Sequence, residues 1–181
     1  MVRSEHPRPP GRESGPEDFR HVSECTAADV TDLLAMIRGL ADYENLGDLV
    51  VCDEAAITHA LFGERPAAEA LIARERGPGS AAAGFALFFH TFSTFRGRRG
   101  LWLEDLFVYP DFRGRGIGRA LISRLGAIAR ERGCARFEWA VLDWNTDAIG
   151  FYEGLGATLM PEWRLARVTG DALQRFGLPK V

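Results

Sequence analysis

The spacing of apolar residues divides the chain into helical and strand-like stretches. After Thr26, apolar side chains recur every three or four positions through residues 27–45, which predicts a first helix with Thr26 as its N-cap. A shorter stretch with the same period follows Asp53 and predicts a second helix capped near that residue. A third helical period begins at Ile117 and ends near Gly133, a residue type common just past helix ends.

Strand-like runs fill the stretches between these helices. They are apolar or alternating segments bounded by turn residues, and they cover residues 19–25, 68–75, 81–92, 100–110 and 135–143. Pro110 closes the fourth run, because proline cannot donate to a central sheet ladder. A short helix in "TDAIGFYEGL" and a final strand pair, "ATLM" and "WRLARV", complete the pattern. This order predicts an α+β fold, with a mixed, mostly antiparallel central sheet flanked by helices.

The N-terminal segment differs in composition from the rest of the chain. "MVRSEHPRPPGRESGPED" is rich in proline, glycine and charge, and it has too few apolar residues to offset the entropy lost on ordering. The chain as a whole has 181 residues, of which 46% are hydrophobic and 26% charged. We therefore expect residues 1–18 to form a disordered tail and residues 19–181 to form a single domain.

Net charge, apolar run length and cysteine usage limit the classes of function. A formal charge of −3 gives no general attraction to nucleic acid or to an anionic membrane. No apolar run reaches the roughly 20 residues that a membrane helix needs. Three scattered cysteines without a CxxC pair are typical of reduced thiols in a cytoplasmic protein. Four histidines without paired spacing predict no metal site.

The most unusual stretch is the glycine–arginine loop, residues 113–119, between the fourth strand and the third helix. It consists of Arg113, Gly114, Arg115, Gly116, Ile117, Gly118 and Arg119. At such a junction unpaired N–H groups meet the positive end of a helix dipole, and glycines let a pyrophosphate approach the backbone. The loop lacks the GxxxxGK[ST] of a Walker motif, and counting from Gly114 or Gly116 fails the Rossmann GxGxxG pattern. On these residues alone, a phosphate cradle, an arginine–glycine RNA tract and a flexible turn all remain open.

Two motifs resemble a known family and favour the first alternative. "RGRGIG" resembles the [Q/R]-x-x-G-x-[G/A] motif of the GNAT superfamily of acyl-CoA-dependent N-acetyltransferases. Downstream, "VLDWNTDAIGFYEGLGA" resembles the closing segment of that family around its catalytic tyrosine. The resemblance covers residues 19–176. The segments "LADYEN", "LFGERP", "GFALFFHTFSTF", "LWLEDLFV" and "WRL" are similar to the diamine acetyltransferase group, which acetylates spermidine, spermine or thialysine.

The resemblance implies acetyl-CoA as the co-substrate, with no metal. By this resemblance the glycine–arginine loop holds the pyrophosphate, while the fourth strand and one asparagine hydrogen-bond the pantetheine arm. The cofactor-binding residues so implied are Leu106, Phe107, Val108, Arg113, Gly114, Arg115, Gly116, Ile117, Gly118, Arg119 and Asn145.

The chemistry of acetyl transfer to an amine predicts carboxylates in the acceptor site. A lysine-like amine has a pKa of about 10.4, so its neutral form costs about 4.6 kcal/mol at pH 7. Carboxylates attract the ammonium group and can remove its proton. Glu104 and Asp105 stand in the otherwise apolar "LWLEDLFV", where strict alternation puts them on opposite faces. The resemblance favours Glu104 as the base, acting directly or through a water.

Further roles follow from the resemblance alone. It implies Tyr152 as the general acid, and a tyrosine, with a reference pKa of about 10, keeps its proton at pH 7. It also implies acceptor contacts from Tyr43 and Glu44, with Glu162 as a further candidate. The sequence departs from the spermidine enzymes at Asp143 and in the acid-poor "RPAAEA", which leaves the identity of the amine open.

The predicted function is transfer of acetyl from acetyl-CoA to the primary amine of a small polyamine, diamine or lysine analogue. A cytoplasmic homodimer is expected, without nucleic-acid or membrane partners. Two alternatives stay open: a GNAT enzyme that acetylates protein amines or an aminoglycoside-like amine, and a non-catalytic acetyl-CoA sensor. The presence of both Glu104 and Tyr152 favours an enzyme.

Overall fold

A computed structural model describes residues 22–177, which fall into two compact units with a boundary between Ala140 and Val141. The predicted tail, residues 1–18, lies outside the described residues, as do the first residues of the first predicted strand. Within residues 22–177, no helix has both the length and the apolar character needed to cross a membrane.

The first unit is built on a five-stranded sheet. Its strands are β1 (Val22–Glu24), β2 (Glu69–Arg74), β3 (Ala82–Ser93), β4 (Arg98–Val108) and β5 (Phe137–Trp139). They lie in the spatial order β1-β2-β3-β4-β5, with antiparallel pairing throughout except between β4 and β5, which are parallel. Three helices accompany the sheet: α1 (Val30–Tyr43), α2 (Glu54–Phe62) and α3 (Ile117–Glu131). The predicted α+β fold with a mostly antiparallel sheet is confirmed.

Of the two predicted caps, Asp53 caps α2, whereas Thr26 lies at the start of a 3₁₀ turn that runs into α1, whose own N-cap is Asp29. A 3₁₀ turn, Ala27–Asp29, precedes α1, and the Thr26 backbone N–H donates to the Asp29 carboxylate at 2.8 Å in a capping box. The Asp53 side chain accepts a hydrogen bond from the Ala56 N–H at 2.8 Å and so caps α2. Both helices pack against one face of the sheet around the buried side chains of Ile72 and Phe85.

A β-bulge interrupts β4 at Glu104. Leu103 pairs with Phe88 and Asp105 pairs with Leu87, so Glu104 is the extra residue. Leu87 packs against the core formed with α1 and α2. The bulge therefore brings Asp105 to the face that carries α1, although two residues earlier Leu103 lies on the other face.

The second unit contains two short helices, α4 (Thr146–Glu153) and α5 (Gly170–Arg175). The predicted strands "ATLM" and "WRLARV" are wrong, because residues 157–169 form neither helix nor strand. Their apolar side chains are mostly exposed, with Trp163 and Leu165 at 70% and 71%. A strand-like pattern forms a strand only where a neighbouring edge accepts its hydrogen bonds and a surface covers its side chains. The helix α5 was not predicted.

Candidate active site

The glycine–arginine loop follows β4 through a 3₁₀ turn, Pro110–Phe112, and leads directly into α3. Gly114 and Gly116 have φ angles of 72° and 84°, in the left-handed region that favours glycine. A Cβ atom built on either glycine meets no atom within 4 Å, so the backbone there is openly accessible. No side chain caps the N-terminus of α3, and its first turn carries no acidic residue. The start of α3 therefore presents N–H groups that no side chain caps and no acidic residue of its own first turn faces.

The three arginines of the loop have different surroundings. Arg115 is 57% exposed and lies 3.8 Å from the Glu75 carboxylate. Arg119, in the first turns of α3, is exposed to solvent. Arg113 instead donates its Nε–H to the Val108 carbonyl at 3.0 Å, and its guanidinium carbon lies 4.6 Å from the centre of the Tyr43 ring. Arg113 thus contacts the ends of both β4 and α1.

The sheet opens next to this loop. In the described part of the chain, β5 pairs with β4 only at Leu101–Leu103. The pairing ends one residue before the bulge at Glu104. Beyond that point β4 continues through Leu106, Phe107 and Val108. The sheet thus leaves a margin of β4 open for the pantetheine contacts that the resemblance implies.

We call Glu44, Glu104 and Asp105 the carboxylate cluster, because the charges of Glu44 and Glu104 both act on Asp105. Glu44 follows the last residue of α1, whose end is set by Asn45 with a left-handed φ of 60°. The Leu46 N–H closes the helix end on the Ala41 carbonyl at 2.7 Å. The C-terminal end of α1 carries the negative end of the helix dipole, which favours a cation there.

Electrostatics single out Asp105 within the carboxylate cluster. Burial and the charges of Glu104 and Glu44 raise the pKa of Asp105 to about 6. Burial also raises the pKa of Glu44. Asp105 therefore changes charge close to neutral pH, where a bound ammonium group would favour its ionised form.

Glu104 is more exposed, and its orientation is set by a neighbour on its own strand. The Trp102 indole N–H donates to the Glu104 carboxylate at 2.8 Å. Trp102 pairs with Phe89, one position from Phe88, and so lies on the face that carries α1. Glu104 and Asp105 consequently share that face. The prediction that they lie on opposite faces is wrong, because the bulge breaks the alternation.

The second unit holds the remaining predicted residues. Tyr152 is only 8% exposed, and burial raises its pKa to about 12. The Asn145 side-chain oxygen accepts a hydrogen bond from the Ala148 N–H at 3.2 Å and caps α4, so its amide N–H₂ is the part left to donate to a ligand. Glu162 is exposed within the irregular stretch 157–169.

The structure brings together residues from distant parts of the first unit. Tyr43 meets Arg113 of the glycine–arginine loop, and Glu44 acts electrostatically on Asp105. Asp105 is the functional candidate that sequence reasoning passed over in favour of Glu104. The signal in the sequence was an acidic residue next to Glu104 in an otherwise apolar strand. The face on which Asp105 lies depends on the bulge at Glu104, which no local sequence pattern predicts.

These features fit an acyl-CoA co-substrate. The accessible backbone of Gly114 and Gly116 and the uncapped start of α3 suit a pyrophosphate, and the open margin of β4 suits an extended amide-bearing arm. Among residues 22–177, no group of His, Cys, Asp and Glu side chains is arranged to hold a metal ion.

Comparisons with known proteins identify the family of the chain. A model of the acetyltransferase (GNAT) family matches residues 23–157. Thialysine N-epsilon-acetyltransferase of Sus scrofa is 38% identical over 163 residues, which cover 86% of this chain and 95% of that protein. L-ornithine N5-acetyltransferase of Arabidopsis thaliana is 30% identical over 203 residues, with 89% of each protein covered.

A solved structure shows the same fold. An integron cassette protein of V. cholerae has a TM-score of 0.73 and 26% identity, covering 87% of this chain and 97% of that one. The resemblance noted in the sequence is thereby confirmed. The chain belongs to the GNAT acetyltransferase family, whose members use acetyl-CoA, and is an N-acetyltransferase that acts on an amine.

Proposed function

We propose that the enzyme acetylates the terminal primary amine of a small diamine, polyamine or lysine analogue such as thialysine. The carboxylate cluster is the observation that carries this proposal, since Glu44 at the end of α1 and Glu104 at the bulge of β4 both act electrostatically on the mostly buried Asp105. A compact cation placed among them relieves their mutual repulsion. The names of the two relatives, which specify thialysine Nε and ornithine N5, support an amine at the end of a short chain.

Acetyl-CoA supplies an acetyl group activated as a thioester. Gly114, Gly116 and the first N–H groups of α3 would hold its pyrophosphate, with Arg115 and Arg119 adding positive charge. The backbone of Leu106–Val108 and the amide of Asn145 would bind its pantetheine arm. These assignments are supported by the left-handed glycines, the uncapped helix start and the open margin of β4.

Glu104 is the proposed base. Its carboxylate is oriented by the Trp102 indole and is exposed enough to reach an amine directly or through one water. Asp105 and Glu44 hold the ammonium form before its proton is removed, and Tyr43 and Glu162 are proposed further contacts of the acceptor. Because ionised Asp105 attracts the amine, acceptor affinity falls as the pH drops through about 6.

Tyr152 is the proposed acid. Burial holds its pKa at about 12, so the phenol keeps its proton throughout the physiological range. A phenol in that state can donate the proton to the departing sulfur of the thioester. The expected homodimer rests on the likeness to the diamine group, and light scattering on the purified protein tests it. The expected cytoplasmic location rests on cysteine usage.

The decisive experiment is release of coenzyme A from acetyl-CoA against a panel of amines. Thialysine, ornithine, a short diamine and spermidine test the proposal, and an aminoglycoside and a lysine-containing peptide test the alternatives. We expect turnover with at least one small amine and a lower rate for Glu104→Gln. Turnover only with the aminoglycoside or peptide would overturn the proposed acceptor class. Unchanged kinetics of Glu104→Gln from pH 6 to 9 would assign the base to another group.

A further inference from the structure

Arg113 connects two parts of the site that bind different substrates in the proposed function. Its Nε–H donates to the Val108 carbonyl at 3.0 Å, and its guanidinium carbon lies 4.6 Å from the centre of the Tyr43 ring. A cation at this distance over an aromatic face is attracted to it. The group of Arg113, Val108 and Tyr43 is called the Arg113 bridge below. It joins the glycine–arginine loop to the residue next to Glu44.

The packing of α1 on β4 makes this bridge possible. A Cβ atom at Gly39 would lie 3.0 Å from the Phe107 ring and 3.4 Å from the Tyr109 ring. Those two rings pack edge to face, with centroids 5.1 Å apart. A glycine at position 39 therefore lets the C-terminal half of α1 lie directly on the end of β4. Tyr43, one turn further along, then reaches Arg113.

We propose that Arg113 is a positioning residue that couples the acetyl-CoA site to the amine site. This inference rests on the proposed function. The glycine–arginine loop has two left-handed glycines with open space around them, so a ligand that binds there restricts the freedom of its backbone. The bridge makes the loop and the end of α1 order together, so that a ligand on one side reduces the ordering cost on the other.

The coupling predicts an effect that would be absent if Arg113 only contacted the pyrophosphate. Tyr43 belongs to the acceptor side, yet removal of its ring should weaken binding of coenzyme A. The expected weakening for Tyr43→Leu is about two- to fivefold, the range of one cation–π contact at an exposed site. Tyr43→Phe retains the ring and should keep the affinity of the wild type. Phe95→Leu removes a fully exposed ring elsewhere and serves as the control.

A double-mutant cycle tests the bridge. Coenzyme A is titrated by calorimetry into wild type, Tyr43→Leu, Arg113→Gln and the double variant. We expect Tyr43→Leu to have no further effect once Arg113 is replaced. In parallel, amide exchange of residues 41–46 should slow when coenzyme A binds the wild type, and not when it binds Arg113→Gln. Unchanged coenzyme A affinity of Tyr43→Leu, additive effects, or equal protection of residues 41–46 in Arg113→Gln would overturn the proposal.

The two proposals fail in distinguishable ways. If no amine of the panel is acetylated while the cycle is non-additive, the proposed acceptor is wrong and the bridge stands. If amines are acetylated but the cycle is additive, the bridge alone is wrong. Thermal unfolding of every variant separates a loss of coupling from a general loss of stability, and recovery of affinity in Tyr43→Phe relative to Tyr43→Leu assigns the effect to the ring.

Discussion

The carboxylate cluster lies at the C-terminal half of β4 and the glycine–arginine loop follows that strand, but the two regions are built in opposite ways. The loop is local: two left-handed glycines and a helix start within a few residues expose backbone N–H groups. The carboxylate cluster is assembled from a bulge in β4 and from the end of α1, about sixty residues earlier in the chain. The loop contributes main-chain groups, and the cluster contributes side chains.

This difference determines what each region can specify. Backbone N–H groups recognise a phosphate whatever the neighbouring side chains are, so a loop of this kind suits a co-substrate shared by a whole family. Side chains held by tertiary packing can differ from one enzyme to the next without disturbing that loop. The proposed function therefore places the choice of acceptor amine in the carboxylate cluster.

The largest effect is expected from Tyr152, the proposed acid, which belongs to neither the glycine–arginine loop nor the carboxylate cluster. Tyr152→Phe removes the proton donor and should lower kcat by roughly 100-fold or more, the usual contribution of a general acid. Coenzyme A affinity and the amine KM should change little, because the ring remains. Steady-state kinetics at pH 7.5 measure this. An unchanged kcat would remove Tyr152 from the mechanism.

The same difference explains which parts of the structure were readable from the sequence. The caps at Thr26 and Asp53 and the start of α3 depend on residues within a few positions of each other. The shared face of Glu104 and Asp105 depends on the register between β3 and β4, which strict alternation misassigns. The segment "WRLARV" has a strand pattern, but a pattern does not supply a pairing partner.

A second prediction addresses the carboxylate cluster. Asp105→Asn removes a charge that holds the ammonium group and should raise the amine KM about thirtyfold at pH 8, the order expected for a charged hydrogen bond. In the wild type the amine KM should rise as the pH falls from 8 to 5, because Asp105 becomes neutral below a pKa of about 6. The variant should show a flatter profile. Identical pH profiles would place the acceptor elsewhere.

A third prediction concerns the glycine–arginine loop. Gly116→Ala places a Cβ atom at a φ of 84° and next to the proposed pyrophosphate, and should weaken coenzyme A binding about three- to tenfold. Gly97→Ala, at a φ of 60° in the turn between β3 and β4, is the matched control. Both variants should lose similar stability, but only the first should lose affinity. Equal coenzyme A affinities by calorimetry would show that the loop backbone does not contact the ligand.

The smallest expected effect tests whether the carboxylate cluster is assembled at a cost in stability. The pKa of Asp105 is raised in the folded protein to about 6, so its contribution to stability is fully present below about pH 4 and is lost as the pH rises through 6. Asp105→Asn has no such loss. Allowing for partial exposure, the variant should gain about 1 kcal/mol in unfolding free energy over the wild type between pH 4 and pH 8. Urea unfolding at both pH values measures this gain, with Glu64→Gln as an exposed control.

When a functional carboxylate is strained in the free enzyme, removal of its charge makes the protein more stable and less active. If the free energies of variant and wild type ran parallel from pH 4 to pH 8, the cluster would be an ordinary solvated surface, and the contrast with the loop would disappear.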